Sequence, residues 1–333
     1  MRDVFKGKRI LITGGAGSVG RALTDRILDY NPRAIRILDI SENEVAQMRS
    51  DLGKIKAKKV RYLIGDIRDS NRLKLAMENV DIVIHLAAMK HVYACEYNPF
   101  EAIKTNIDGL QNIIDVARHG NVKKVIFSST DKAARPSNVM GMTKLLGEKL
   151  ISLANFYKGN KRTIFASVRF GNVVGSNGSA VPIFKRQIQN GKPLTITDEK
   201  MTRFVITMDE ATELICRAVE LARGGETFVW KMRSLKVIDL ARCMGSKYGK
   251  GRKVNMVTIG REKGEKLHED IMDEEEVYRA AEMDDLYVVF PLIDHVNARR
   301  KYKNISRIKS PIIDSSQGKH MNDKQIKEFL ERT

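Results

Sequence analysis

The chain has 333 residues, 42% apolar and 30% charged, with 59 Lys and Arg against 41 Asp and Glu and a formal net charge of +18. This length and even mixture exclude a disordered chain and suit one large α/β domain intertwined with a smaller lobe. The positive excess favours anionic partners such as a phosphorylated metabolite, but the basic residues are scattered through KIKAKKVRY, NARRKYKNISRIK and elsewhere, without the single aromatic-flanked stripe of a nucleic-acid binder.

RILITG predicts a strand, SVGRALTDRILDY a helix, AIRILDI a second strand, NEVAQMRSDL a helix and VRYLIGD a third strand. NRLKLAMEN then reads as a helix, DIVIHLAA as a strand, EAIKTNIDGLQNIIDVARHG as one helix and KKVIFSST as a strand. Strands separated by helices of this length pair in parallel through right-handed crossovers, so residues 1–174 are expected to form a Rossmann-type doubly wound parallel sheet. After TIFASVRFGNVVG the pattern loosens into turns, a short LTITD strand and helices near DEATELICRAVELA and SLKVIDLARCM. Residues 175–295 are therefore assigned to a smaller C-terminal substrate lobe, with some elements returning to the first domain. Residues 296–333 read as a charged linker ending in the amphipathic helix NDKQIKEFLERT.

Cys95, Cys216 and Cys243 are too few and too far apart for a zinc site or a disulfide framework, and read as small buried apolar residues in a reducing compartment. The chain is expected to enter its first strand within eight residues of the start, which leaves no room for a signal peptide. No apolar run approaches the roughly 18 residues that cross a bilayer. A cytoplasmic chain without membrane insertion is expected.

TGGAGSVGRAL follows the first strand and opens a helix, with Gly14, Gly17 and Gly20 spaced as GxxGxxG. Glycine lets the backbone approach a pyrophosphate, and the first turn at Ser18 and Val19 supplies amide donors and the positive end of the helix dipole. Asp39 stands nineteen residues beyond Gly20, where a carboxylate accepts both ribose hydroxyls and repels a 2′-phosphate. NAD is thus favoured over NADP, with Arg36 and Arg49 keeping NADP open. Asp66 and Ile67, read as the end of the third strand, could meet the adenine. Ala87 and Ala88 are small enough to let a cofactor lie against the fourth strand.

TGGAGSVG, HLAAMKHV, CEYNPFEAIKTN, SSTDKAARPSNVMGMTK, VRFGNVVGSNGS, MTRFVIT and GEKLHE together resemble the extended short-chain dehydrogenases that act as UDP-N-acetylglucosamine 4,6-dehydratases, over residues 5–290. The resemblance is nearer to the soluble branch, whose members commonly invert C5, than to members with extra transmembrane segments. It implies a tightly held nicotinamide, a UDP-sugar substrate and an internal redox cycle: C4 gives up a hydride, water leaves across C5 and C6, and the hydride returns at C6. It also implies a homo-oligomer paired through helices at 101–118 and 143–157.

Elimination needs an acid and a base with separate roles. Related dTDP-glucose dehydratases carry adjacent Asp and Glu after a Thr. Here Thr130, Asp131 and Lys132 hold that place, which implies Asp131 as the acid, Lys132 as the base and Thr130 as a hydrogen bond to the C4 oxygen. A lysine base needs a pKa lowered toward about 7 to 8, expected here from burial and from the positive charges of Lys144 and the nicotinamide. Lys144 is the implied ribose ligand. Four residues earlier, where a short-chain dehydrogenase has its proton-shuttling Tyr, stands Met140, so the C4 proton must leave through Asp131, Lys132 or water. The simpler alternative is that Asp131 and Lys132 merely cap the helix beginning near Asn138 or sit as a surface pair.

Lys90 resembles the family lysine near the sugar. Asn172 and Ser179 can bond a sugar or pyrophosphate, and Arg203 and Arg261 with Glu265 suit the diphosphate and uridine ribose. The family tends to read IRPGEK where this chain has GREKGEK, which leaves Arg261 less fixed. His268 and Glu269 lack further spaced ligands and read as structural rather than metal-binding, so no metal is expected. Two rivals remain: a UDP-hexose 4-epimerase, which needs no acid–base pair for elimination, and a non-catalytic nucleotide-sensing protein, suggested by Met140 and the positive charge.

Overall fold

Side-chain alternation in the first strand sends Ile10 and Ile12 to one face and Leu11 to the other, and all three are fully buried because helices cover both faces. The computed structural model describes residues 2–332 apart from 250, 253, 310 and 312; Met1 and Thr333, which end the first and last expected segments, lie outside the described residues. In chain order the strands are β1 (Arg9–Thr13), β2 (Ala34–Asp39), β3 (Val60–Ile64), β4 (Ile82–His85), β5 (Lys124–Thr130), β6 (Ile164–Phe170) and β7 (Asn172–Val173). They continue with β8 (Leu194–Ile196), β9 (Thr202–Ile206), β10 (Thr227–Trp230), β11 (Arg233–Lys236), β12 (Met256–Thr258), β13 (Ala280–Met283) and β14 (Leu286–Val289).

Nine of these form one sheet in the order β13-β14-β10-β6-β5-β4-β1-β2-β3, parallel except where β14 meets β10 and β13 meets β14. The chain direction across the sheet switches between β1 and β4, and a doubly wound sheet binds its ligand outside the carboxyl ends of the strands at such a point. Ile10, Ile12, Ile84 and Ile126 pack against the helices Ser18–Leu28 and Met208–Leu221. Leu11, Val83, Val125 and Phe127 pack on the other face against Gly109–His119 and Val139–Tyr157. Thus β10, β13 and β14 return to the main sheet, while β7, β9 and β11 form a smaller sheet beyond it. The tail helix, Asp323–Glu331, buries Ile326, Phe329 and Leu330 against Val181, Phe184, Leu240 and Met244 of the lobe.

The expected single helix EAIKTNIDGLQNIIDVARHG is interrupted. Helix Pro99–Ile103 passes into a π turn, Lys104–Asp108, before Gly109–His119. The wider turn directs Asn106 inward, where Oδ1 accepts from Met89 N at 2.8 Å and Nδ2 donates to Met89 O at 3.0 Å and to Thr143 Oγ1 at 2.9 Å. It pins the loop after β4 to the helix that carries Lys144. In SLKVIDLARCM the first residues pair antiparallel with β9 as β11, and the helix starts only at Val237. β3 ends at Ile64, so Asp66 and Ile67 occupy the following turn rather than the strand end.

Candidate active site

The carboxyl ends of β1, β4 and β5 open onto a cleft of about 710 Å³. Its floor is the glycine turn. Gly14 has φ +65°, and a Cβ there would lie 2.7 Å from Ala87 N. A Cβ on Gly20 would lie 2.5 Å from Gly15 O, and one on Gly15 would lie 2.9 Å from Ile12 O. Gly15 is therefore constrained much as Gly14 and Gly20 are, a requirement the GxxGxxG pattern passes over. Gly17 precedes the helix, whose Ser18, Val19 and Gly20 face the cleft, so the helix N-terminus presents its amides to a bound anion. Gly14→Ala should lower the Tm and strip bound dinucleotide, since the left-handed conformation alone costs about 1–2 kcal/mol; thermal melts and the absorbance of released nucleotide check both.

Asp39 lines the cleft at the end of β2, where its carboxylate accepts from Ala16 N and Ser41 N, each at 3.1 Å. Arg36 points elsewhere, donating to Ala76 O and Glu78 O at 2.8 Å, and neither it nor Arg49 lines the cleft. Asp66 is held by Arg68, whose Nε donates to Oδ2 at 2.7 Å. Ile67 fills the space left by Gly109, and Ala87 and Ala88 form the wall after β4. Glycines that a Cβ would jam, a helix N-terminus facing the cleft and a carboxylate at the end of β2 fit a dinucleotide.

At the other end, β5 delivers Ser128, Ser129 and Thr130, followed by one 3-10 turn, Asp131–Ala133. The next helix, Val139–Tyr157, is capped by Asn138, whose Oδ1 accepts from Gly141 N at 2.8 Å. Asp131 and Lys132 are thus not its caps. Asp131 is fully buried; its Oδ1 accepts from Thr130 Oγ1 at 2.9 Å and from Lys132 Nζ at 3.0 Å, and Oδ2 has no hydrogen-bond partner among the described residues.

Lys132 Nζ also lies 3.2 Å from Glu269 Oε1. Burial disfavours the ammonium, but Asp131 and Glu269 outweigh it against the opposition of Arg203, and the Lys132 pKa is raised. This corrects the expectation of a lowered value, because two carboxylates rather than Lys144 face the amine. Lys144 behaves the other way. Burial, resisted by Glu148 and Cys95, lowers it to about 8, while Nζ donates to Ser128 O at 2.9 Å and lies 4.6 Å from the Phe127 ring centre. Beneath it, His85 is buried and its pKa falls to about 3 through burial and then Lys144, which keeps the ring neutral; its Nδ1 bonds Thr13 Oγ1 at 2.7 Å. Met140 lines the cleft and packs on Cys95 and Ala102.

Lys90, Asn172 and Ser179 line the same cleft. Lys90 Nζ donates to Asn177 O at 2.9 Å and Asn177 N donates to Ser18 Oγ at 3.1 Å, so the Gly175–Ser179 loop is tied across the cofactor turn. Arg203, Arg261 and Glu265 do not line it. Arg203 donates to Glu265 Oε1 at 3.0 Å, Thr202 O at 2.7 Å and Lys266 O at 3.0 Å. Arg261 is half exposed, 3.7 Å from Asp198. His268 and Glu269 face different partners: the His268 ring bonds Thr202 Oγ1 at 2.8 Å, while Glu269 meets Lys132. Glu269 is the site residue that sequence reasoning set aside, and HE is its only local signal.

The fold is that of the extended short-chain dehydrogenases. The chain belongs to the polysaccharide biosynthesis protein family, whose profile matches residues 10–291. It is 44% identical over 296 residues to a UDP-N-acetylglucosamine 4,6-dehydratase (inverting) of Campylobacter jejuni, covering 88% of this chain and 86% of that one. It is also 36% identical over 334 residues to a UDP-glucose 4-epimerase of Rickettsia prowazekii, covering 98% and 96%. The X-ray structure of Pen from Bacillus thuringiensis superposes with a TM-score of 0.93 at 38% identity, covering 99% of both chains.

Proposed function

We propose that this protein is a UDP-N-acetylglucosamine 4,6-dehydratase that inverts C5, making a UDP-4-keto-6-deoxy-N-acetylhexosamine for glycan or surface polysaccharide synthesis. The observation that carries this reading is the Asp131–Lys132 pair, 3.0 Å apart on the turn after β5 and beside the dinucleotide cradle, in a site with Met140 where a phenol would stand. The Campylobacter relative supports the substrate and the stereochemistry.

Gly14, Gly20, the amides of Ser18 and Val19, and Asp39 would hold NAD, with Lys144 at the nicotinamide ribose. A bound nicotinamide would supply reversible hydride transfer. The chain's own groups handle protons. Thr130, bonded to Asp131, orients the C4 hydroxyl. Asp131 takes that hydroxyl's proton and delivers it to the departing C6 hydroxyl, so the water formed carries it away. Lys132 removes H5, and the cluster later returns one proton to C5. Lys90, Asn172 and Ser179 contact the sugar and pyrophosphate. Arg203 and Glu265, bonded to each other outside the cleft, shape the loop that carries Arg261.

Incubation with UDP-N-acetylglucosamine followed by NMR tests this function: a 4-keto-6-deoxy product with inverted C5 is expected. The Rickettsia relative favours 4-epimerisation as the second reading, for which the only product would be the C4 epimer. Denatured protein should release mainly NAD; mainly NADP would mean that Asp39 does not govern the choice. A homo-oligomer belongs to the same proposal, supported by exposed Met142, Leu146, Phe156 and Tyr157 along one side of helix Val139–Tyr157. Light scattering should give a mass above that of one chain. A cytoplasmic setting is supported by three cysteines that remain free and buried; among the described residues no helix is long and apolar enough to cross a membrane.

A further inference from the structure

Glu269 is the third ionisable group of the catalytic cluster. It is 1% exposed, its Oε1 lies 3.2 Å from Lys132 Nζ, and its Oε2 has no hydrogen-bond partner among the described residues. Its backbone is clamped by the C-terminal segment: Glu269 N donates to Ser315 Oγ at 2.9 Å and Ser315 N donates to Glu269 O at 2.8 Å. Ser315 is itself fully buried and shares a 2.7 Å hydrogen bond with Thr202 Oγ1. The placement of this carboxylate is therefore fixed from two sides.

The groups facing Lys132 are Asp131 from the turn after β5, Glu269, and Arg203 from β9. A charged Lys132 cannot remove H5. Asp131 is needed empty, to receive the C4 hydroxyl proton. The remaining acceptor within hydrogen-bond reach is Glu269, which Arg203 Nε also faces at 4.0 Å; burial of the pair lowers the cost of exchanging ammonium and carboxylate for neutral amine and carboxylic acid. Burial raises the Glu269 pKa, with Lys132 opposing and Asp131 reinforcing the rise.

We propose that Glu269 is a positioning residue that stores the ammonium proton of Lys132 during the reaction, so that Nζ becomes the base for H5. This rests on the dehydratase reading. The step balances: an Nζ–H bond breaks, an Oε1–H bond forms, and the ammonium and carboxylate become an amine and a carboxylic acid with no change in total charge. The amine lone pair then takes H5. When the cluster has returned a proton to C5, Glu269 gives the stored one back and Lys132 is again charged.

Glu269→Gln keeps the size and removes the proton acceptor. Without substrate, the pH dependence of Lys132 acetylation by acetic anhydride, read by peptide mass spectrometry, should shift its midpoint down by about one pH unit or more, as loss of one adjacent anion requires. With UDP-N-acetylglucosamine, turnover at neutral pH should fall at least about 10-fold and climb toward the wild-type value as pH rises and solvent takes the Lys132 proton, while the wild type stays level over that range. Ser315→Ala, which only loosens the clamp, should move both curves in the same direction by less and serves if the Gln variant does not fold. An unchanged acetylation midpoint, or a turnover loss equal at every pH, overturns the proposal. If the wild type fails to dehydrate the sugar, the dehydratase reading falls, and the acetylation midpoint alone decides whether Glu269 controls Lys132.

Discussion

Lys132→Ala is expected to reduce dehydration of UDP-N-acetylglucosamine by about 10²- to 10⁴-fold, the range for removing a general base, while UDP-sugar affinity changes by no more than a few fold. The split follows from where the amine sits. Lys132 reaches the cleft with only part of its side chain, and its Nζ is engaged by Asp131 at 3.0 Å and Glu269 at 3.2 Å rather than facing the loop proposed to hold the diphosphate. Its removal also leaves two buried carboxylates, Asp131 and Glu269, with the guanidinium of Arg203, whose Nε lies 4.0 Å from Glu269 Oε1, as their nearby cation. One of them then gains from taking up a proton, as like charges at short range force. The variant should consequently lose some thermal stability but retain its dinucleotide, because the partners of its amine, Asp131 and Glu269, lie outside the glycine turn. Steady-state kinetics, nucleotide content and a melting curve separate these effects, and near-normal turnover would remove Lys132 from the mechanism.

The cofactor end of the site was legible in the sequence because its determinants are local. A strand, a turn that tolerates no Cβ and a helix follow one another within TGGAGSVGRAL, and Asp39 sits where the next strand must end. The same holds for Thr130, Asp131 and Lys132, which are consecutive. The charge state of Lys132 was not legible, because it depends on Glu269, a residue 137 positions further on by their numbers, brought near by the return of the lobe to the sheet. Sequence also gave no means of knowing that Arg203 is bonded to Glu265 instead of facing the cleft. The interruption of the helix at Lys104–Asp108 belongs with these, since it depends on partners of Asn106 at Met89 and Thr143. Local pattern identifies which backbone can bind; tertiary neighbours decide which side chains are protonated.

Asp131→Asn and Met140→Leu should differ by orders of magnitude although both residues are buried. Asparagine is close in shape to Asp131 and keeps an acceptor for Thr130, yet it can neither take the C4 hydroxyl proton nor hand one to the C6 hydroxyl. Turnover should therefore fall by about 10²- to 10⁴-fold in a protein that still folds and binds NAD. Met140 has no proton to move. It lines the cleft and packs on Cys95 and Ala102, and leucine nearly conserves its volume, so the expected penalty is under about 1.5 kcal/mol in stability with most of the turnover retained. Were Met140 tuning the chemistry, leucine would have to remove at least about 1.4 kcal/mol of transition-state stabilisation and slow turnover tenfold. Measuring both variants under one set of conditions makes the comparison decisive: a folded, NAD-binding Met140→Leu enzyme as slow as Asp131→Asn would mean that Met140 does more for turnover than fill space.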